Sequence, residues 1–268
     1  MNYWLNEEFS TAPALPANAG GTLLGIGAFT TVGLWNGRAF ALDRHLARLR
    51  RDAARFDLEI SFSDEILRAA LKTLIRGQKI ERGTARITAT ARGDGRWNAK
   101  KGCDVSVMAQ STVDIDRTLK IDWSPFRIEA RRATAGVKST SYADNFLAWR
   151  EAQGRGLDDA ICCNSSGAVC ETTRANIFWT RNGVLFTPSL ESGALPGIGR
   201  ELVLEWARAE GILAREGVFS PTDVSGADAI FLSGAATGVR AAAFPDETAA
   251  PDEVFTIFAR RWHEEVQK

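Results

Sequence analysis

Three kinds of group along the middle of this chain are typed and spaced to do chemistry together. Lys138 stands at the head of a helical pattern, Glu171 sits in a strand-like run, and Leu195-Pro196-Gly197-Ile198-Gly199-Arg200 opens a helix. An amine can condense with a carbonyl. A carboxylate can keep an aromatic ring nitrogen protonated, and the free N–H groups at a helix start can bind a phosphate. The set fits an aromatic aldehyde phosphate.

The elements around these residues must deliver them. Residues 159–163 form an apolar run that reads as a strand, Asn164-Ser165-Ser166-Gly167 reads as a turn, and a second strand carries Glu171. Upstream, residues 22–41 read as two strands around the Asn36-Gly37 turn. Residues 43–56 repeat apolar positions at Leu46, Leu49, Ala53 and Phe56, one stripe of a helix. Arg44, Arg48, Arg51 and Arg55 make a basic stripe beside it, of the kind that usually marks a solvated face. Ser63 caps the next helix, with Asp64 and Glu65 in its first turn and Ile66, Ala70, Leu71 and Leu74 facing inward. Residues 86–92 alternate like a strand and lead into a turn at Gly93-Asp94-Gly95-Arg96, and residues 103–110 form another strand. Tyr3-Trp4-Leu5 reads as a short edge strand. The polar stretch 111–117 lacks apolar periodicity. The expected domains are therefore 1–112, a smaller α/β unit, and 118–268, a larger strand-rich unit with helices near 141–153, 199–210 and 251–266. The fold class is α/β (α+β) with two domains.

Composition removes several function classes. The 268 residues carry 33 Lys plus Arg and 33 Asp plus Glu, so nothing points to a nucleic-acid partner. Cys103, Cys162, Cys163 and Cys170 form no CxxC pair and read as reduced thiols rather than a metal site. No signal-peptide pattern and no membrane-length apolar run is read in the sequence, so the expected compartment is the cytoplasm.

The spacing Glu171-x-Thr173-x-x-Asn176-Ile177-Phe178, then Leu185-x-Thr187, then Leu195-x-Gly197-Ile198-x-Arg200, resembles the signature of class-IV aminotransferases. These are the fold-type IV pyridoxal-phosphate enzymes: branched-chain and D-amino-acid aminotransferases and 4-amino-4-deoxychorismate lyases. The signature fixes about ten positions, and weaker likeness runs over most of the chain. The resemblance implies pyridoxal 5'-phosphate bound to Lys138, which also acts as the proton shuttle at the substrate α-carbon. Burial lowers a lysine's pKa and makes its neutral amine available. Glu171 is then the partner of the pyridine nitrogen. His45-Leu46-Ala47-Arg48-Leu49 is similar to the family's H-L-x-R-L motif, whose arginine binds the cofactor phosphate, while His45 reads as structural. Ile198, Gly199 and the loop Ala235-Ala236-Thr237 fall where the family holds the same phosphate. The family usually has threonine at Gly199 and, in branched-chain enzymes, at Ala235. Thr237 stands two residues on and is a candidate replacement. Tyr142 stands near a family tyrosine that contacts the cofactor, and reads equally as a helix-face core residue.

The substrate side is more open. Gly27-Ala28-Phe29-Thr30-Thr31 resembles a stretch beside the cofactor in the lyase branch, and reads equally as a half-buried strand. Arg86, Arg92 and Arg96 are candidates for a substrate carboxylate and are also ordinary strand or loop arginines. The resemblance implies an active site between the domains, completed by the partner subunit of a homodimer, and small amino and keto acids as substrates. Two reactions fit: transamination between an amino acid and a 2-oxo acid, placed slightly ahead, and the lyase reaction that releases pyruvate and 4-aminobenzoate. A non-catalytic cofactor-binding relative is the third reading, motivated by the missing threonines. Asn145, Asp158 and Asp159 read as structural.

Overall fold

The computed structural model describes residues 2–97, 102–113, 117–247 and 252–267. The chain divides into two units, Met1–Asp114 with Val137–Tyr142, and Ile115–Gly136 with Ala143–Lys268. The expected boundary at 111–117 includes residues 114–116, which lie outside the described residues, as does the start of the expected helix at 251.

The first unit contains strands β1 (Tyr3–Leu5) and β2 (Glu8–Ser10), helix α1 (Gly20–Leu24), strands β3 (Gly27–Trp35) and β4 (Arg38–Ala39), helices α2 (Leu42–Ala54) and α3 (Asp64–Gly77), and strands β5 (Arg82–Ala91) and β6 (Cys103–Ser111). The strands form one sheet in the order β2-β1-β6-β5-β3-β4. Every pairing in it is antiparallel. β5 alternates half-buried and buried residues along its length, so one face meets a core and the other does not. That core joins Val32, Ile87 and Val107 of the sheet to Leu46 and Leu49 of α2 and Leu67, Leu71 and Leu74 of α3. Asn36 and Gly37 both take positive φ, the two-residue turn that suits the twist of a hairpin. Two readings are corrected. β1 is not an edge, because β2 pairs outside it. Ile66 is 38% exposed, and Leu67 takes the inward place because the stripe runs 67, 70, 71, 74.

Residues 137–142, which the sequence reading leaves in the second domain, pack with the first unit. The Phe29 N–H donates to Lys138 O and the Thr140 N–H donates to Gly27 O. The segment thus occupies the side of β3 that the two-residue strand β4 leaves uncovered.

The second unit contains β7 (Leu119–Ile128), α4 (Ala143–Gly154), β8 (Asp159–Asn164), β9 (Val169–Thr172), β10 (Asn176–Arg181), β11 (Val184–Pro188), α5 (Ile198–Ala209), β12 (Ala214–Gly217), α6 (Pro221–Ser225), β13 (Ala229–Gly234), β14 (Gly238–Ala243) and α7 (Glu253–Gln267). Its sheet runs β12-β11-β10-β13-β14-β7-β8-β9. Adjacent residues of a strand point to opposite faces, yet Phe178 and Trp179 are both buried, so this part of the sheet is covered on both sides. Phe178 stacks on Phe231 with centroids 5.1 Å apart, and Phe258 of α7 packs on Phe231. Trp179 packs against Phe186 and Phe219. All six residues of β8 are buried. Among the described residues, no helix is long and apolar enough to cross a membrane, and no group of His, Cys, Asp or Glu is arranged to hold a metal ion.

Candidate active site

The first unit gathers Lys138, Tyr142, Phe29, Arg86 and Arg48. The register of β3 on β5 sets their faces: Phe29 pairs with Thr88 and Thr31 with Arg86, while Thr30 pairs with Ile87. Phe29 and Arg86 therefore share the face away from the helices, and Thr30 points to the helix side. The Arg86 guanidinium lies 3.5 Å above the Phe29 ring, and its Nε donates to Thr88 Oγ1 at 3.2 Å. Burial lowers its pKa and the nearby Tyr142 phenol opposes the shift, but a guanidinium starts so high that it stays charged. Phe29 and Tyr142 meet edge to face at 5.3 Å. Lys138 Nζ sits 4.8 Å and 4.9 Å from these two rings and donates to Tyr142 Oη at 3.3 Å. Its main chain is fixed as well, because the Lys138 N–H donates to Asp52 Oδ2 at 3.0 Å.

Helix α2 supplies the layer behind. Arg48 is only 7% exposed, so this member of the basic stripe does not lie on a solvated face. It donates through Nη2 to Thr30 Oγ1 at 3.0 Å, and the same hydroxyl lies 2.6 Å from His45 Nδ1. His45 is fully buried, and burial together with the charges of Arg48 and Lys138 pulls its imidazole down to about 3. It is neutral at any working pH. Sequence reasoning missed Asp52, and reached Thr30 only as part of the stretch Gly27-Ala28-Phe29-Thr30-Thr31. The signal for Asp52 was its place on α2, four residues from Arg48 and seven from His45, which puts all three on one side of a helix.

Arg92 and Arg96 lie apart from this cluster. Arg92 makes a fork with Asp104 through Nε at 2.8 Å and Nη2 at 2.6 Å. Arg96 is exposed and pairs with Asp94 at 2.6 Å.

In the second unit, Glu171 lies on β9 and is half-buried. Its Oε2 accepts from the Leu195 N–H at 3.0 Å and from Asn176 Nδ2 at 3.2 Å. Asn176 Nδ2 also donates to Leu195 O at 2.8 Å. One amide thus ties the carboxylate to the loop that begins α5, and this accounts for the Glu171 to Asn176 spacing. A Cβ on Gly197 would sit 2.0 Å from Asn176 Oδ1, so only glycine fits there. Gly197 is the N-cap of α5 and no side chain caps it, which leaves the Ile198 and Gly199 N–H groups for an outside acceptor. The β13–β14 turn lies beside this helix start: a Cβ at Gly199 would come within 3.3 Å of both Gly234 N and Ser233 Cβ. Ala235 and Ala236 in that turn are half-buried and Thr237 is exposed. The buried Ser233 hydroxyl has no partner among the described residues. Arg200 turns away to bond Pro188 O at 2.9 Å and Glu216 at 2.6 Å, which anchors α5.

Asp158, Asp159 and Asn145 are bonded to neighbouring protein groups. Asp159 accepts from Thr172 and from the Thr173 N–H, Asp158 pairs with Arg117, and Asn145 donates to Thr173 O. All four cysteines are free thiols. Burial pushes Cys103 up to about 11 and Cys162 and Cys170 up to about 12, so none of these three is a ready nucleophile.

Known proteins resemble this chain in sequence and in fold. A family model described as amino-transferase class IV matches residues 27–243. The D-alanine aminotransferase of Listeria monocytogenes serotype 4b is 29% identical over 220 residues, 80% of this chain and 76% of that protein. The aminodeoxychorismate lyase of Bacillus subtilis is 28% identical over 228 residues, 80% of this chain and 75% of that protein. The crystal structure of a branched-chain aminotransferase from Thermoproteus uzoniensis with norvaline superposes with a TM-score of 0.92 at 25% identity, covering 100% of this chain and 95% of that one. A T.th. branched-chain amino acid aminotransferase with pyridoxamine 5'-phosphate has a TM-score of 0.88 at 22% identity, covering 99% and 93%.

Proposed function

The chain belongs to the class IV aminotransferase family, and from that premise we propose that it is a pyridoxal-phosphate-dependent transaminase moving an amino group between an amino acid and a 2-oxo acid, with Lys138 as its catalytic residue. The observation that carries this is the setting of Lys138 Nζ, bonded to Tyr142 Oη at 3.3 Å, flanked by two aromatic rings, on a backbone pinned by Asp52.

The residues present fit the cofactor. The uncapped start of α5 and the buried Ser233 hydroxyl beside it, which has no partner among the described residues, suit an anion. Glu171 is oriented by two donors on one oxygen. When bound, pyridoxal 5'-phosphate supplies an aldehyde for amines and a ring that withdraws electrons from the bond broken at the substrate α-carbon. Lys138 would hold the cofactor through Nζ, and its freed amine would hold and move the proton at the substrate α-carbon. Tyr142 orients that amine, and the Phe29 and Tyr142 rings keep water from it. Glu171 holds the ring nitrogen protonated. Arg48 and the N–H groups of Ile198, Gly199, Ala235 and Ala236 bind the phosphate, with Thr237 at the rim. Arg86, charged and lying over the Phe29 ring, binds the substrate carboxylate, which leaves Arg92 and Arg96 to their carboxylate partners. The working form is a homodimer in the cytoplasm, tested by the mass of the purified protein in solution and by its location in cells.

The test is an absorption spectrum of the purified protein with pyridoxal 5'-phosphate. The wild type is expected to show the band of the lysine-bound cofactor and Lys138→Ala to lack it. An amino acid should convert that band and a 2-oxo acid restore it. Release of pyruvate and 4-aminobenzoate from aminodeoxychorismate, with the band unchanged overall, would establish the lyase instead. That second reading is favoured by the near-equal identity to the Bacillus subtilis lyase. A bound cofactor without either turnover would leave a non-catalytic relative, and no binding at all would overturn the proposal.

A further inference from the structure

Thr30, His45 and Arg48 form a hydrogen-bond chain whose proton positions are fixed by counting donors. Thr30 Oγ1 lies 3.0 Å from Arg48 Nη2 and 2.6 Å from His45 Nδ1. Thr30 and His45 are fully buried, and Arg48 nearly so. A guanidinium only donates, so the threonine oxygen accepts from Arg48. The single hydroxyl proton then goes to His45 Nδ1, which must be bare, and the ring proton sits on Nε2. The opposite arrangement, with the proton on Nδ1, would orphan the buried Thr30 hydroxyl proton as well, whereas Nε2 has no partner among the described residues in either tautomer. A doubly protonated ring would orphan the same hydroxyl proton and add a buried charge facing Arg48, on its own helix, and Lys138, from the 137–142 segment.

We propose that His45 is a positioning residue: through Thr30 it holds the Arg48 guanidinium in one orientation for a phosphate, as a neutral acceptor of fixed tautomer. The inference rests on the reading of Arg48 as a phosphate ligand. A histidine does here what a carboxylate would do badly. A carboxylate would pair with the guanidinium directly and cancel the charge the phosphate has to meet. The neutral relay fixes direction and leaves the charge available. The same side of α2 also carries Asp52, which accepts the Lys138 N–H, so one helix sets both the arginine and the lysine.

Two measurements test it. The chain has two histidines, so labelling histidine with nitrogen-15 in the full chain gives two sets of ring resonances, with exposed His263 as the comparison. His45 is expected to show a protonated Nε2 and a bare Nδ1, unchanged between roughly pH 5 and pH 8. A proton on Nδ1, or titration of His45 in that range, overturns the assignment. The positioning role is read from the ratio of affinities for pyridoxal 5'-phosphate and for pyridoxal, which lacks the phosphate. Thr30→Val keeps the shape and removes the hydroxyl. It is expected to lower that ratio about tenfold, the worth of one hydrogen bond to a charged group. His45→Leu should lower it similarly, and His45→Asn, whose amide oxygen can replace Nδ1, should restore most of it. Equal loss for both ligands, or no change in Thr30→Val, sinks the role. A wild type that binds the two ligands equally would overturn the phosphate reading of Arg48 and the positioning role with it, while the tautomer result would stand by itself.

Discussion

The two units hold their candidate residues by different means. In the first, the groups are side chains with charge or a hydroxyl: Lys138, Arg48, Arg86 and Tyr142, each braced by another side chain. In the second, one carboxylate is fixed by a backbone N–H and an amide, and the remaining donors are backbone N–H groups at an uncapped helix start and a hairpin turn. The first cluster depends on residue type at each position. The second depends on backbone path: Gly197 has no room for a side chain, while alanine stands at Ala235 and Ala236, where no side chain has to reach.

Substitutions should split along that line. Glu171→Gln keeps shape and removes charge, so the fold should persist while turnover falls on the order of 10²–10³-fold, the usual loss for one preorganised electrostatic partner. Steady-state rates with an amino acid and a 2-oxo acid check this, and near-normal turnover would show that Glu171 does not face the reacting group. Arg48→Met should weaken pyridoxal 5'-phosphate by about 10–100-fold, one charge-assisted contact. Gly199→Ala, by contrast, leaves its backbone N–H in place and should change affinity far less. If the two variants weaken binding alike, side-chain and backbone donors are not divided as the two clusters suggest. Asn176→Ala should cost about 1–2 kcal/mol of stability in urea, since it removes the donor shared by Glu171 and Leu195 O. An unchanged midpoint would mean that the loop before α5 is held by other contacts.

The same division decides what was legible in the sequence. Lys138, Glu171 and Arg48 could be named as candidates because a type at a spacing carries the family resemblance. The Glu171 to Asn176 interval could be matched to a family, but its cause, one amide bridging the carboxylate and the α5 loop, appears only in three dimensions. Most strands and the long helices were readable from periodicity. The membership of residues 137–142 in the first unit was not, because pairing of Lys138 and Thr140 with β3 is a contact over about a hundred positions with no local pattern. The basic stripe on α2 misled for a related reason. Four arginines at helical spacing look alike in sequence, and only packing distinguishes the buried Arg48 from Arg51, whose side chain is 53% exposed.

The smallest expected effect probes the first unit alone. His45 is neutral in the fold, with its pKa lowered to about 3 by burial and by Arg48 and Lys138, against roughly 6.5 in an unfolded chain. On acidification the unfolded chain takes up the proton first. The stability this residue contributes is therefore whole above about pH 6.5 and is lost as the pH falls from there toward about 3. Between pH 7 and pH 5.5 the wild type should lose about 1 kcal/mol more than His45→Asn, read from urea midpoints at the two values. The carboxylates with lowered pKa, Glu65, Glu129, Asp158 and Asp223, act at lower pH and do not enter this window. If both proteins lose the same amount, His45 gains a proton without cost in the fold. The neutral relay to Arg48 would then fail, and the first cluster would be less dependent on side-chain identity than its geometry implies.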